Sequence, residues 1–320
     1  MREFRFGLLG LGAILLSATG AAAQGAYPNQ AVRIVVPFSA GSITDGLARS
    51  IADKLQDSWK QQVVVENRPG LPGTTGVAKA APDGYTLMLT SNGHTIAGAL
   101  NKNLQFDPVK DFAGVTQVAS VPLVLIVPPE LPAKTVKEFI DLANQKPGSM
   151  NFASAGIAST SYLSAELFKQ TAKIQMQHVP YKGAPEATTS VIRNDSQLYM
   201  LGVNLSAELQ ESGKVRALAM TTPKRVSQLP NVPTMAEAGL PDYKYDAWFA
   251  VFAPAGTPKA ILDKASQDIA RVLQLPDIKA RLAKQGVDVV TGTPAQLDAL
   301  NKEDTERYTK ILKDAGVQAN

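Results

Sequence analysis

Apolar positions along this chain switch repeatedly between a strand-like and a helix-like spacing. Val32-Arg33-Ile34-Val35-Val36 is a short β-branched run and predicts a buried strand. Ile43, Leu47, Ile51 and Leu55 then fall four apart, which predicts one buried helix face. Val63-Val64-Val65 predicts the next strand, followed by a glycine-rich turn and a short helix to Ala81. The Asp83-Gly84 turn and a third strand over residues 86–90 complete the first stretch. Such strand–helix–strand repetition predicts an α/β fold with a largely parallel sheet, helices covering both faces.

A long apolar run, residues 121–127, closed off by Pro128-Pro129, crosses into a second unit. Here Val136, Phe139, Ile140 and Ala143 predict a helix, Asn151-Phe152-Ala153 a strand, and Leu163, Leu167 and Phe168 another helix. Residues 197–201 and 215–220 predict later strands, and proline, glycine and polar residues dominate 222–242. A second apolar run over 247–253 ends at Pro254. Helices are expected over 261–273, 278–285 and 297–312, with Asp298 and Lys302 as an i,i+4 pair. The two apolar runs read as two crossings between domains, the geometry that hinge closure uses. Residues 24–122 and 246–320 then form one lobe and 123–245 the other. A single large sheet is the alternative that periodicity leaves open.

The start of the chain reads differently. Arg2 and Arg5 precede the apolar run 6–16, and Ala21-Ala22-Ala23 follows Ser17 and Thr19. A positive start, a short apolar centre and a small-residue end make a secretory signal peptide, cleaved after Ala23. The run is too short to span a bilayer, which takes roughly 20 apolar residues. The expected product is a soluble periplasmic protein beginning at Gln24.

Composition removes several chemistries. The 320 residues include no cysteine and only His94 and His178. Thiol catalysis, disulfides and cysteine-based metal sites are excluded, and a histidine-rich metal site is disfavoured, so no metal or cofactor is expected. The 32 basic and 28 acidic residues are interspersed, which argues against a nucleic-acid surface.

Two loops carry the candidate chemistry. Phe38-Ser39-Ala40-Gly41-Ser42 follows the first strand, and Ser154-Ala155-Gly156 with Ser159-Thr160-Ser161 follows a strand of the second unit. Both place Ser-Ala-Gly between a strand and a helix. Ligands of open α/β sheets bind at the carboxyl ends of strands, where small residues expose backbone N–H groups beside a helix start. Two such loops facing each other would grip a carboxylate without an arginine. Helix capping also explains them: Ser42-x-x-Asp45 has the capping-box form, and Ser159 to Ser161 suit caps. Their recurrence at matched positions favours binding.

Rival motifs are incomplete. Gly70, Gly73 and Gly76 lack the Gly-x-Gly-x-x-Gly spacing, and no Gly-Lys-Ser/Thr follows. Ser154 lacks the glycine of a nucleophile elbow, and nothing in the sequence sets His94 or His178 beside it. Ser91 and Asn92 follow the third strand, so they and the nearby His94 are cleft candidates, His94 being equally suited to a solvated helix start. Trp248 and Phe249 suit either ligand stacking or core.

At this point the chain resembles the substrate-binding proteins of tripartite tricarboxylate transporters, the Bug-type receptors. The resemblance covers almost the whole mature chain. It rests on Val35-Val36-Pro37-Phe38-Ser39-Ala40-Gly41 with Asp45, Val65-Glu66-Asn67-Arg68-Pro69-Gly70, and Pro82-Asp83-Gly84-Tyr85-Thr86-Leu87. Ser154-Ala155-Gly156, Val179-Pro180-Tyr181-Lys182-Gly183 and Gly213-Lys214-Val215-Arg216-Ala217 continue it.

The resemblance implies a type II periplasmic-binding fold of two hinge-connected lobes. It further implies a monomeric receptor that closes on a small carboxylate and delivers it to inner-membrane subunits. Carried over residue by residue, Phe38 to Ser42 match the first loop, Ser154 to Ser161 the opposing loop, and Tyr181 the wall beside it. Ser42 stands where the family usually has a second glycine, Tyr162 where it has a histidine, and Gln197 where it has an aspartate. Loss of that acidic group favours a plain carboxylate over an amino acid. A periplasmic sensor subunit and a secreted hydrolase are the competing functions.

Overall fold

The computed structural model describes residues 27–157 and 159–314; the expected leader lies outside them. The chain begins β1 (Val32–Val36), α1 (Ile43–Trp59), β2 (Val63–Asn67), α2 (Leu71–Ala78) and β3 (Thr86–Ser91). A 3-10 turn over Asn92–Ile96 and the single-turn α3 (Ala97–Leu100) lead to β4 (Phe112–Ser120). The second unit runs β5 (Leu123–Val127), α4 (Val136–Gln145), β6 (Asn151–Ser154), α5 (Thr160–Ala172), β7 (Gln177–Pro180) and α6 (Ala184–Ile192). It ends with β8 (Tyr199–Gly202), α7 (Val203–Glu211) and β9 (Arg216–Met220). The chain returns as β10 (Trp248–Pro254), α8 (Lys259–Leu273), α9 (Pro276–Lys284), β11 (Asp288–Val289) and α10 (Pro294–Asp314).

The six-stranded sheet has the order β11-β4-β10-β3-β1-β2. β1 pairs in parallel with β2 and β3, whereas β10 runs antiparallel to β3 and β4 and β11 antiparallel to β4. The largely parallel sheet expected from the sequence is therefore corrected to four co-directional strands and two reversed ones. The reason is topological: β10 arrives from the second unit and inserts between strands laid down earlier. In that unit β5 is the centre of an antiparallel sheet, β8-β5-β9, and β6 pairs in parallel with β7. The apolar run 121–127 is not one strand, because Pro122, which has no amide to donate, separates β4 from β5.

Leu47, Ile51 and Leu55 are fully buried, as their spacing predicts, each contributing about 1.5–3 kcal/mol of apolar burial. They belong to a core that continues through Leu125 into Phe139, Phe152 and Phe168 of the second unit. Asp298 does not pair with Lys302. Its Oδ1 accepts from the Gly114 amide at 2.7 Å, where β4 shifts register against β10 and leaves that amide outside the ladder.

Candidate functional site

β1, β2 and β3 point the same way, so their carboxyl ends share one edge of the large sheet. That edge faces the loop after β6 and the residues after β7. Two adjoining cavities lie between. The smaller, about 50 Å3, is lined by Phe38, Ser42, Thr44, Ser91, Ala155, Ser159, Thr160 and Ser161 among others. The larger, about 260 Å3, is lined by Phe38, Leu71, Thr74, Thr90, His94, Phe106, Ala155, Ile157, Tyr181 and Lys182 among others. Phe38 and Ala155 thus wall both chambers.

The small chamber sets the hydroxyls of Ser42, Thr44, Ser91, Ser159, Thr160 and Ser161 against an apolar wall that includes Leu123, Met200, Leu201 and Phe249, and no ionised side chain lines it. The N-termini of α1 and α5 meet there, and both serine caps form. Ser42 Oγ accepts from the Asp45 amide at 3.1 Å and Ser159 Oγ from the Tyr162 amide at 3.2 Å. Each cap satisfies the third amide of its helix and leaves the first two outside the helical ladder. Two helix starts converging on one chamber favour negative charge. Ser91 Oγ is 1% exposed and has no hydrogen-bond partner, a buried donor facing this space. The room suits a few water-sized groups, the size of one carboxylate.

Asp45, in the first turn of α1, does not cancel this field. Burial pushes its carboxyl up, but bonds from Arg49, the Gly41 amide and Asn67 bring it below its ordinary value. It is an ionised, fully engaged group behind the chamber.

The larger chamber is apolar except for Thr74, Thr90, Lys182, His94 and the hydroxyl of Tyr181. His94 is 3% exposed, with its ring edge-on to Phe112 at 4.7 Å and stacked on Phe106 at 6.0 Å. Burial lowers its pKa to about 4, so the ring is neutral. Its Nε2 lies 3.0 Å from the Pro108 carbonyl, which only accepts, so that nitrogen carries the proton. The solvated helix start is thereby corrected: His94 is part of the chamber wall.

The residues singled out from the sequence divide into three groups. Phe38, Ser42, Ser91, Ala155, Gly156, Ser159, Thr160, Ser161 and Tyr181 line one or both chambers. Ser39, Ala40, Gly41 and Ser154 belong to the loops without lining them. Ser39 Oγ donates to the Lys182 carbonyl at 2.6 Å, joining the two units across the cleft. The Gly41 amide, expected to face a ligand, donates instead to Asp45 Oδ2 at 3.0 Å. Ser154 is fully buried; its Oγ accepts from the Gly156 amide and sits 2.7 Å from His178 Nε2.

The remaining three are corrections. Asn92 is fully buried with both side-chain atoms engaged, donating to the Asp246 carbonyl and accepting from Tyr245 Oη. Gln197 closes the turn before β8, bonded to the Asn151 amide and to Asn194. Trp248 is core, its Nε1 donating to Asp304 Oδ2 at 2.7 Å. Its neighbour Phe249, on the other face of β10, is the residue of that strand that lines the small chamber.

No spacing or motif in the chain pointed to the Ser154–His178 pair. Burial and the neighbouring Lys169 lower His178 to about 4, and its ring stacks on Phe152 at 4.8 Å. The serine is sealed from solvent and its oxygen is occupied by the Gly156 amide. The pair therefore holds the binding loop in place.

The description "Tripartite tricarboxylate transporter family receptor" (TctC) matches residues 47–317. The chain belongs to this family. It is 33% identical over 319 residues to the protein BugT of Bordetella pertussis, covering 97% of this chain and 98% of that one. Among solved structures, R. palustris Rpa4515 with adipate superposes with a TM-score of 0.84 at 33% identity, covering 92% of this chain and 100% of that one. MatC (Rpa3494) from Rhodopseudomonas palustris with bound malate gives 0.83 at 32%, covering 89% and 100%. This is a receptor of the Bug type, with a periplasmic-binding-protein fold, and not an enzyme.

The receptor's larger chamber includes residues that sequence reasoning missed. Pro69, Gly70, Leu71 and Thr74 come from the loop after β2 and the start of α2. A signal existed, because a third strand–glycine–helix junction on the same sheet edge belongs to the same rim. Phe106 and Ala97 carried none. A Cβ on Gly73 would lie 2.2 Å from the Arg68 carbonyl oxygen. Gly73→Ala is expected to lower stability by about 3 kcal/mol, since backbone must move to admit the methyl group. Urea unfolding checks this, and an unchanged midpoint would refute the close approach.

Proposed function

We propose that the receptor binds a small carboxylate between two lobes and hands it to the inner-membrane subunits of a tripartite tricarboxylate transporter. The lobes are residues 24–122 with 246–320, and 123–245. The carboxylate occupies the small chamber, and the rest of the ligand extends past Phe38 and Ala155 into the larger one. Ser42, Ser91, Thr44, Thr160 and Ser161 supply hydroxyls, and the first amides of α1 and α5 supply N–H donors, while the Ser159 hydroxyl is held by the Gly156 carbonyl. The observation that carries this reading is the unpartnered Ser91 hydroxyl facing a chamber where two helix N-termini converge. Adipate and malate in the related structures are ligands of the same chemical kind. Ser39, bonded across the cleft to Lys182, acts as the latch of the closed form.

Thermal unfolding with a panel of mono-, di- and tricarboxylates tests the reading. A cognate ligand at about 100 times its Kd should stabilise the protein by about 2.7 kcal/mol. No shift with any carboxylate at millimolar concentration would overturn it.

A further inference from the structure

We infer that the preferred ligand is an aromatic monocarboxylate whose far end carries a hydroxyl or similar hydrogen-bond donor, the ring lying in the larger chamber and the donor facing His94. This rests on the reading that the small chamber holds the carboxylate.

The walls of the larger chamber are Phe38, Leu71, Ala97, Phe106 and Tyr181, and its lip is Ile157, 44% exposed. An apolar cavity of roughly 150 Å3 admits benzene. About 260 Å3 leaves room for a substituted ring. A second carboxylate on that body would lose its water among these side chains and gain no buried cation. Lys182 is the one cation among the lining residues, but it is exposed and Glu186 Oε2 accepts from its backbone amide. An ion pair formed there in water adds little.

His94 sets the polarity of the far end. Its Nε2–H is committed to the Pro108 carbonyl and its ring is neutral, so Nδ1 is a bare acceptor with no partner among the described residues. An acceptor repels a carboxylate and accepts from a hydroxyl. The rings of Phe106, Phe112 and Phe252, with centroids 4.7–6.0 Å away, fix the imidazole in that orientation.

Isothermal titration of the receptor with benzoate, phenylacetate, para-hydroxybenzoate, para-hydroxyphenylacetate, terephthalate, adipate and malate tests the inference. The better hydroxylated ring should bind about tenfold tighter than its unsubstituted counterpart, and tighter than all three dicarboxylates. His94→Phe should reduce the preference for the hydroxylated ring to parity. Folding of this variant is checked by its melting curve, and Asn301 Nδ2 still donates to the Pro108 carbonyl. Tighter binding of adipate, malate or terephthalate would overturn the inference while upholding the carboxylate reading. A hydroxyl preference that survives in His94→Phe would also overturn it. Failure of every carboxylate to bind would overturn both.

Discussion

Ser91→Ala should weaken carboxylate binding by roughly ten- to a hundredfold while leaving the ligand-free receptor no less stable. The hydroxyl is buried and unpartnered, so the empty folded state bears the desolvation cost of a donor with nothing to bond, about 1–3 kcal/mol. Alanine removes that cost. A hydrogen bond to a charged acceptor contributes about 1.5–3 kcal/mol, and each 1.4 kcal/mol is about tenfold in affinity. Ser161→Ala is the contrasting variant, because Ser161 Oγ already accepts from the Ala155 amide and bonds Ser159. It should lose both stability and affinity. Titration calorimetry and urea unfolding on the two variants separate the roles. Undiminished affinity in Ser91→Ala would show that its hydroxyl does not touch the ligand.

Acid should destabilise the fold before Asp45 and Asp268 titrate. His94 and His178 are held at about 4 by burial, against an ordinary value near 6.5. Between those two values the unfolded chain binds protons that the folded one refuses, so stability falls as the pH is lowered through this window. For His94, which is fully buried, the whole fall approaches about 3 kcal/mol. Asp45 and Asp268 act in a lower window. Burial raises each, but hydrogen bonds and cationic neighbours bring the balance below the ordinary carboxyl value. Their stabilisation is present above an unfolded pKa of about 3.9 and is lost below it. Urea midpoints at several pH values between about 7 and 4 should decline, and His94→Gln, which keeps a donor for Pro108, should decline less steeply. A flat wild-type profile would refute the buried neutral histidines.

What could be read from the sequence follows from what each signal is made of. α1 was legible because four apolar residues repeat along one buried face, and the caps at Ser42 and Ser159 because capping is a local act. The paired loops were legible for the same reason. Strand direction was not, since β10 takes its orientation from the path of a long excursion, as the bridge across adjacent strand ends from Ser120 to Asp246, 126 positions apart, illustrates. Which donors remain free was equally illegible. Asn92 looks available in a loop, yet Asp246 and Tyr245 engage it from elsewhere in the chain, and the Gly41 amide is taken by Asp45 only four residues on. The Ser154–His178 bond needed the register of β6 against β7, which sets Phe152 opposite His178 and Ser154 opposite Pro180.

The insertion of β10 between β3 and β4 also orders the chain in time. Val251 pairs with Leu89 on one side and with Thr116 on the other, so the large sheet lacks an interior strand until residue 248 and those after it are available. The second unit has no such gap, because all of β5 to β9 lies within residues 123–220. A chain emerging N-terminus first can therefore complete the later unit while the earlier one still waits, its β3 and β4 edges unpaired and open to aggregation. Closing that gap joins residues about 160 positions apart, a long-range step of the kind that slows folding. The strand that returns the backbone to its first sheet is thus the last part of the cleft's framework to form.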